Sequence, residues 1–330
     1  MNKMHHGKHG LRIALLAGAS VVALAAAAPS ASAADMNKPM PMKAPPSVAV
    51  PKDTWTWWFE GGVFNTGGAA LGVPTFKPNW GGEGAVGFDW NALPQMHVVG
   101  QFRYGAASKD KSLQIATAAT HGGSSTTISG TQNLREDHWL IDFGIGRDFG
   151  LGNSHAMWTL GIRVADLRSK LTANGAFTNT TFTPTQGGTT KNVNKGAFSA
   201  QEKTSFVGAG PRFGLQGDIP LGGQWSIDWL AGAAVLFGER NFQVTASTGG
   251  IPVAGLSSDS PAVFNVDAQA GLSYWFSPNM KITASYRFDD YFKALKVLQS
   301  AQLVGTTLVT TTSNIDRSYS GPMVRLTFKY

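Results

Sequence analysis

Residues 264–276 read FNVDAQAGLSYWF. Phe264, Val266, Ala268, Ala270, Leu272, Tyr274 and Phe276 take every second position, and Asn265, Asp267, Gln269 and Gly271 stand between them. Successive side chains of a strand point to opposite faces, so strict alternation predicts a strand with one apolar and one small, polar face. The same pattern recurs along the chain. Trp139, Ile141, Phe143 and Ile145 oppose Leu140, Asp142, Gly144 and Gly146. Val207, Ala209, Pro211, Phe213 and Leu215 oppose Gly208, Gly210, Arg212 and Gly214. Comparable runs begin at Met157, Trp225, Met280 and Pro322, and weaker ones cover 54–64, 82–91 and 95–104.

Several runs reach ten or more residues, whereas strands of soluble proteins center on about five or six. A tilted membrane-spanning strand needs about 9–11. The second face carries glycine and isolated charges rather than a dense Lys/Glu surface, which suits a confined interior better than bulk water. Lipid-facing alternation around a polar interior is the signature of an outer-membrane barrel. Connections also alternate in kind. Short ones fall at 91–94, 150–153, 217–223 and 277–279; long Ser/Thr/Gly-rich ones fall at 65–79, 106–135, 171–203, 245–261 and 295–316. The fold class expected is therefore all-β, a transmembrane antiparallel up-and-down β-barrel of about 10 strands over residues 54–330. Twelve strands is the alternative, reached if 112–131 or 296–312 supplies a further pair. In the ten-strand threading Trp55, Trp57, Trp90, Trp225, Tyr274, Phe276 and Tyr330 gather near the short turns, and Tyr104, Trp139 and Tyr286 nearer the long connections, as two interfacial girdles should.

Residues 1–33 read as an export signal: a basic start with Lys3, Lys8 and Arg12, an apolar run IALLAGASVVALAAAA over 13–28, and the small-residue site Ala31-Ser32-Ala33. Residues 34–53 hold Pro39, Pro41, Pro45, Pro46 and Pro51 and read as an extended periplasmic tether. The expected location is the bacterial outer membrane.

Composition closes other routes. Charged residues make up 14% of the 330, against about 25% in average proteins, while 40 are glycine. With no cysteine, disulfide scaffolds and thiolate metal sites are excluded. The 27 basic and 20 acidic residues give +7, but three of the cations lie in the export signal and no basic tract follows, so no nucleic acid is expected. His97, His121, His138 and His155 have no metal-ligand spacing, and His138 beside Asp137 reads as a solvated pair at a loop edge. The glycine triplets at 144–150 and 208–214 lie within strands with no helix following, so they read as interior glycines rather than phosphate loops. No cofactor, no metal and no enzymatic chemistry are expected, and no catalytic residue is assigned.

What remains is the set of interior charges. The threading points Glu60, Arg103, Asp142, Arg163, Arg212, Asp228, Asp267, Arg287 and Arg325 inward, together with Glu83, Asp89, Asp289, Lys281 and Lys329. On the lipid face such charges would cost about 2–4 kcal/mol each at mid-bilayer. Two readings stand: the charges line a narrow, weakly selective pore, or they pair across the interior and plug it, leaving the long connections to act at the surface.

The segments LGIRVADL (160–167), FVGAGPRFGL (206–215), ASYRF (284–288) and GPMVRL (321–326) resemble the Legionella-type major outer membrane protein family over roughly residues 138–330. That resemblance implies an outer-membrane barrel of pore-forming type. The last strand ends on Tyr330 with Phe328 two positions before it, similar to the terminal aromatic signal of barrels inserted by the outer-membrane assembly machinery. Expected partners are that machinery, outer-membrane lipid and lipopolysaccharide, and a second copy of the chain as a homo-oligomer.

Overall fold

The computed structural model describes residues 54–68, 79–93, 95–117, 124–151, 154–185, 188–248, 251–304 and 307–330. The export signal, its cleavage site and the tether lie outside the described residues, as do 69–78 and 118–123 of the long connections.

The described residues form eleven antiparallel strands. They are β1 (Thr54–Gly67), β2 (Asn79–Leu93), β3 (Met96–Thr117), β4 (Ser124–Leu151), β5 (Ser154–Thr185) and β6 (Gly188–Gly222). Then follow β7 (Trp225–Thr248), β8 (Ile251–Asp259), β9 (Ala262–Ser277), β10 (Met280–Val304) and β11 (Thr307–Lys329). Each strand pairs with the next in sequence except β8 with β9, which both pair with β7, and β1 pairs with β11, so the sheet closes into a ring. At the seam the backbone of Trp55 exchanges hydrogen bonds with Tyr330, at 3.2 and 2.8 Å. A closed ladder leaves no open edge, which is what a lipid-embedded sheet requires.

β8 and β9 follow one another along the same edge of β7: Arg240 to Thr248 face β8, and Trp225 to Phe237 face β9. Only Ser260 and Pro261 separate them, and proline removes a ladder donor. The eleven strands therefore occupy ten places around the ring. Residues 112–117 and 124–131 continue the β3–β4 hairpin, and the described parts of 296–312 continue β10–β11, so neither forms an added pair in the ring.

Outward-facing side chains form the apolar belt. Phe143, Ile145, Leu160, Ile162, Phe213, Phe237, Leu272, Tyr286 and Val324 are exposed large hydrophobics. Aromatics gather at the turn end, where Trp55 stacks on Trp90 at 5.2 Å and Trp225 lies 4.9 Å from Tyr274. The connections differ from the expectation. Residues 171–203 are two strands paired residue by residue to Thr185 opposite Gly188, and β5 and β6 run 32 and 35 residues. The hairpin ladders thus continue far past the belt. The turn placed at 217–223 is also shorter, since β6 and β7 pair up to Gly222 opposite Trp225. Gly222 and Gly223 have φ of 106° and 61°, a region that glycine enters without strain.

Candidate functional site

The interior has two tiers. At mid-height, inward side chains of nine strands join in one ion-paired layer. Arg163, fully buried, donates two hydrogen bonds of 2.7 Å to Asp142 and one of 2.9 Å to Asp267 across the ring, and it also reaches Asn265. Arg212 lies 2.9 Å from Asp267 and 3.4 Å from Asp142. Its guanidinium fits because Gly214 and Gly232 lack side chains: a Cβ at Gly214 would stand 2.7 Å from Nη1, and one at Gly232 2.5 Å from Nη2. Glu60 accepts from Arg103 at 3.3 Å, Arg325 at 2.9 Å and Gln269 of β9 at 2.7 Å. Glu83 pairs with Arg287, Arg103 (3.3 Å) and His138 (3.0 Å), and Arg287 continues to Asp289 at 2.7 Å. Desolvating charges is expensive, and an interior layer is tolerable only when each ion meets partners as these do.

Toward the turns the interior stays polar. Lys281 contacts Asp228 at 2.5 Å, His97 bridges Asp89 (2.7 Å) and Asp148 (2.9 Å), and Lys329 lies over the ring of Trp275. A cavity of about 70 Å³ beside this tier is lined in part by Asp89, Gln101, Asp142, Thr159, Arg212 and Gln216.

Outward of the ion-paired layer, and interleaved with its upper residues, the interior is apolar. Phe64, Leu140, Leu167, Phe206, Leu236, Tyr291, Leu295 and Tyr319 point inward and are at most 2% exposed. A small, polar second face was expected throughout, and here that expectation fails. Polar neighbors along each strand hid these residues: Leu140 is followed by Asp142 on its face, and Phe206 by Gly208. His138 also departs from expectation. Its ring is buried, hydrogen-bonded to Glu83 and 3.9 Å from Tyr319, while Asp137 takes the opposite face. Alternation alone places His138 with Leu140 and Asp142, and that was the available signal.

The mouth is crossed by one hairpin. Beyond Tyr291 the β10–β11 pair shifts register, Lys293 adopts φ 55°, and β10 loses β9 as a partner. The strand then meets inward residues of β6 and β7. The Lys296 N–H donates to Thr204 Oγ1 at 3.0 Å, the Leu298 N–H to Glu202 Oε1 at 3.0 Å, and Arg240 to the Lys293 carbonyl. The Lys296 ammonium reaches Ser257 at 2.9 Å and Asp259 at 3.3 Å on β8. In the ring β10 and β6 are separated by β9 and β7, so these contacts span the opening. Burial raises the Glu202 carboxyl above its ordinary range, partly offset by the Leu298 N–H.

Every interior charge named from the sequence faces inward: Glu60, Arg103, Asp142, Arg163, Arg212, Asp228, Asp267, Arg287 and Arg325 in the pairs given above. Asn265 and Gln269, which alternation sets on the polar face of β9, and Gln101 and His138, which the sequence left unassigned, share this interior with the named charges. Phe328 and Tyr330 lie on the outward face of β11, Tyr330 being 76% exposed. Among the described residues no cluster of His, Asp and Glu has metal-site geometry.

Among curated proteins no sequence matches this chain. Solved structures share its outline at low identity. The outer membrane protease OmpT of Escherichia coli is 10% identical, covers 85% of this chain and 98% of its own, and has a TM-score of 0.48. Ail of Yersinia pestis is 10% identical over 85% and 100%, with a TM-score of 0.25. The translocator domain of the autotransporter NalP of Neisseria meningitidis is 9% identical over 96% of both chains, at 0.28. At such scores these likenesses carry nothing about chemistry. The family comparison is stronger, because the model of the Legionella pneumophila major outer membrane protein precursor matches residues 95–330, a wider span than the 138–330 over which the sequence motifs resemble that family. With the closed ladder and lipid-facing belt, that match places the protein in the bacterial outer membrane: the chain belongs to the Legionella major outer membrane protein family.

Proposed function

We propose that this protein is a non-enzymatic outer-membrane barrel, closed in its resting form, which works at the cell surface through its extended hairpins. The observation that carries the reading is the apolar tier. A water-filled passage does not leave Phe64, Leu167, Phe206, Leu236 and Tyr291 fully buried against one another. The β10–β11 hairpin adds to it, contributing Tyr291, Leu295, Val297 and Ile315 to the same cluster while it spans the mouth. Barrels near eight strands are filled by their side chains, and a ring of ten places lies close to that limit.

A second reading is favored by the ion-paired layer. Should the hairpin lift, the constriction beneath would hold carboxylates and guanidinium groups in near balance, and the barrel would become a narrow, weakly selective pore for small hydrophilic solutes. Planar-bilayer recording of the full-length protein separates the two. The closed reading predicts silence at high protein occupancy in wild type and in Arg212→Ala alike. Steady open steps in wild type, enlarged in Arg212→Ala, would replace it with the pore.

A further inference from the structure

Just outside the apolar belt, three cations stand side by side on the outward face. Arg135 of β4 is directly opposite Lys170 of β5, and Lys170 is directly opposite Lys203 of β6. All three are exposed. Arg135 lies four residues beyond Trp139 on the same face, about 13 Å further along the strand at ~3.3 Å per residue. Like charges opposite one another on neighboring strands are destabilizing, yet none of the three has a carboxylate within ion-pair distance among the described residues. The acids of this face are placed elsewhere: Asp166 is held by Arg168 at 2.5 Å and Asp110 by Asn133 at 2.7 Å, while Asp137 and Glu239 make no ion pair with the row. The arrangement is one that an external anion would relieve.

The rows immediately beyond carry a different chemistry. Thr172, Gln201 and Thr245 stand in register, followed by Asn174, Ser199 and Ser247, and they border a cavity of about 530 Å³. Hydroxyls and amides of this kind donate and accept toward sugar hydroxyls, whereas the cations below offer charge-assisted bonds to phosphate. The height is that of headgroups, because the row sits where the lipid-facing belt has ended.

We propose that Arg135, Lys170 and Lys203, with the cavity above them, form a binding site for the phosphorylated saccharide headgroup of an outer-leaflet glycolipid of the lipopolysaccharide type. The cations take the phosphates, and the Thr172–Gln201–Thr245 and Asn174–Ser199–Ser247 rows take the sugar. The site faces the membrane from outside the barrel, so it holds whether the interior conducts or stays closed.

The test titrates the full-length protein, folded in detergent, with a bisphosphorylated diglucosamine glycolipid, its phosphate-free counterpart and phosphatidylglycerol, each in mixed micelles. Wild type should bind the phosphorylated glycolipid at least tenfold more tightly than either of the others. Arg135→Gln with Lys170→Gln and Lys203→Gln should abolish that preference while unheated gel migration still reports a folded barrel. Lys191→Gln with Lys195→Gln, two exposed cations further out on β6, should retain it. Phosphatidylglycerol binding as tightly as the glycolipid would overturn the proposal, as would a triple variant that keeps the preference or an equal loss in the Lys191/Lys195 variant.

Discussion

The turn-side and outer tiers of one interior are stabilized by opposite means. Toward the turns, packing is electrostatic: Arg163 alone is shared by Asp142, Asp267 and Asn265. Toward the surface, eight large side chains exclude water by filling space. The difference follows from how the ring is closed. Where the wall is held by ladder bonds on both sides of every strand, the interior can carry ions as long as each is paired. Where the hairpins leave the belt and β10 departs from β9, the ladder no longer fixes the gap between opposite walls. An apolar cluster with one hairpin drawn across the mouth closes it instead.

Substitutions in the two tiers should separate these mechanisms. The largest effect is expected for Arg163→Met, which leaves Asp142 with the Gln101 amide and, as its one remaining cation, Arg212 at 3.4 Å, and takes one of Asp267's two guanidinium partners. Breaking a buried pair by removing one partner typically costs about 3–5 kcal/mol, to be read as a shift of the urea unfolding midpoint in lipid vesicles. Leu236→Ala in the apolar tier should cost roughly 2–5 kcal/mol by lost burial and the cavity it leaves. Adding Asp142→Asn to Arg163→Met removes a stranded charge and should recover part of its loss, whereas added to Leu236→Ala it should only deepen the loss. Deepening in both backgrounds would erase the distinction between the tiers.

A smaller effect concerns pH at the mouth. Glu202 lies past the belt, and burial raises its carboxyl above the ordinary range, partly offset by the Leu298 N–H. The folded form therefore holds its proton to higher pH than the unfolded chain, and this contribution to stability is lost as pH rises through the raised value. Hydrogen exchange at 295–298, corrected for intrinsic rates, should therefore be faster at pH 8 than at pH 5. Glu202→Gln should flatten the difference; an unchanged difference would show that the mouth responds to another group.

How much of this was legible in the sequence depends on contrast between faces. Within the belt one face meets lipid and the other does not, so period two is visible, and it placed Asp142, Arg163, Arg212 and Asp267 on the interior. Past the belt both faces of β5 and β6 meet water. Thr, Asn, Ser and Gly alternate with one another there, and the outer parts of the 32- and 35-residue strands, over 171–203, read as a loop. The bend of β10 rests on Lys293 in a conformation lysine seldom adopts, and no local residue announces it. The apolar tier escaped for a related reason. Leu167 and Phe206 each sit among polar neighbors on their own strand, and they become a cluster only when strands distant in sequence close the ring.

The most direct test of a closed interior uses the chain's lack of cysteine. Ala234 points inward from β7 and is 3% exposed, while Gln216 lines the small turn-side cavity. Ala234→Cys and Gln216→Cys proteins, in vesicles open on both sides, would be treated with a small charged thiol reagent. The closed account predicts that the cysteine at 234 stays unmodified for hours in the folded protein and reacts at once after heating. Modification at 234 as fast as at an exposed surface cysteine would mean that water fills the interior, and would contradict it.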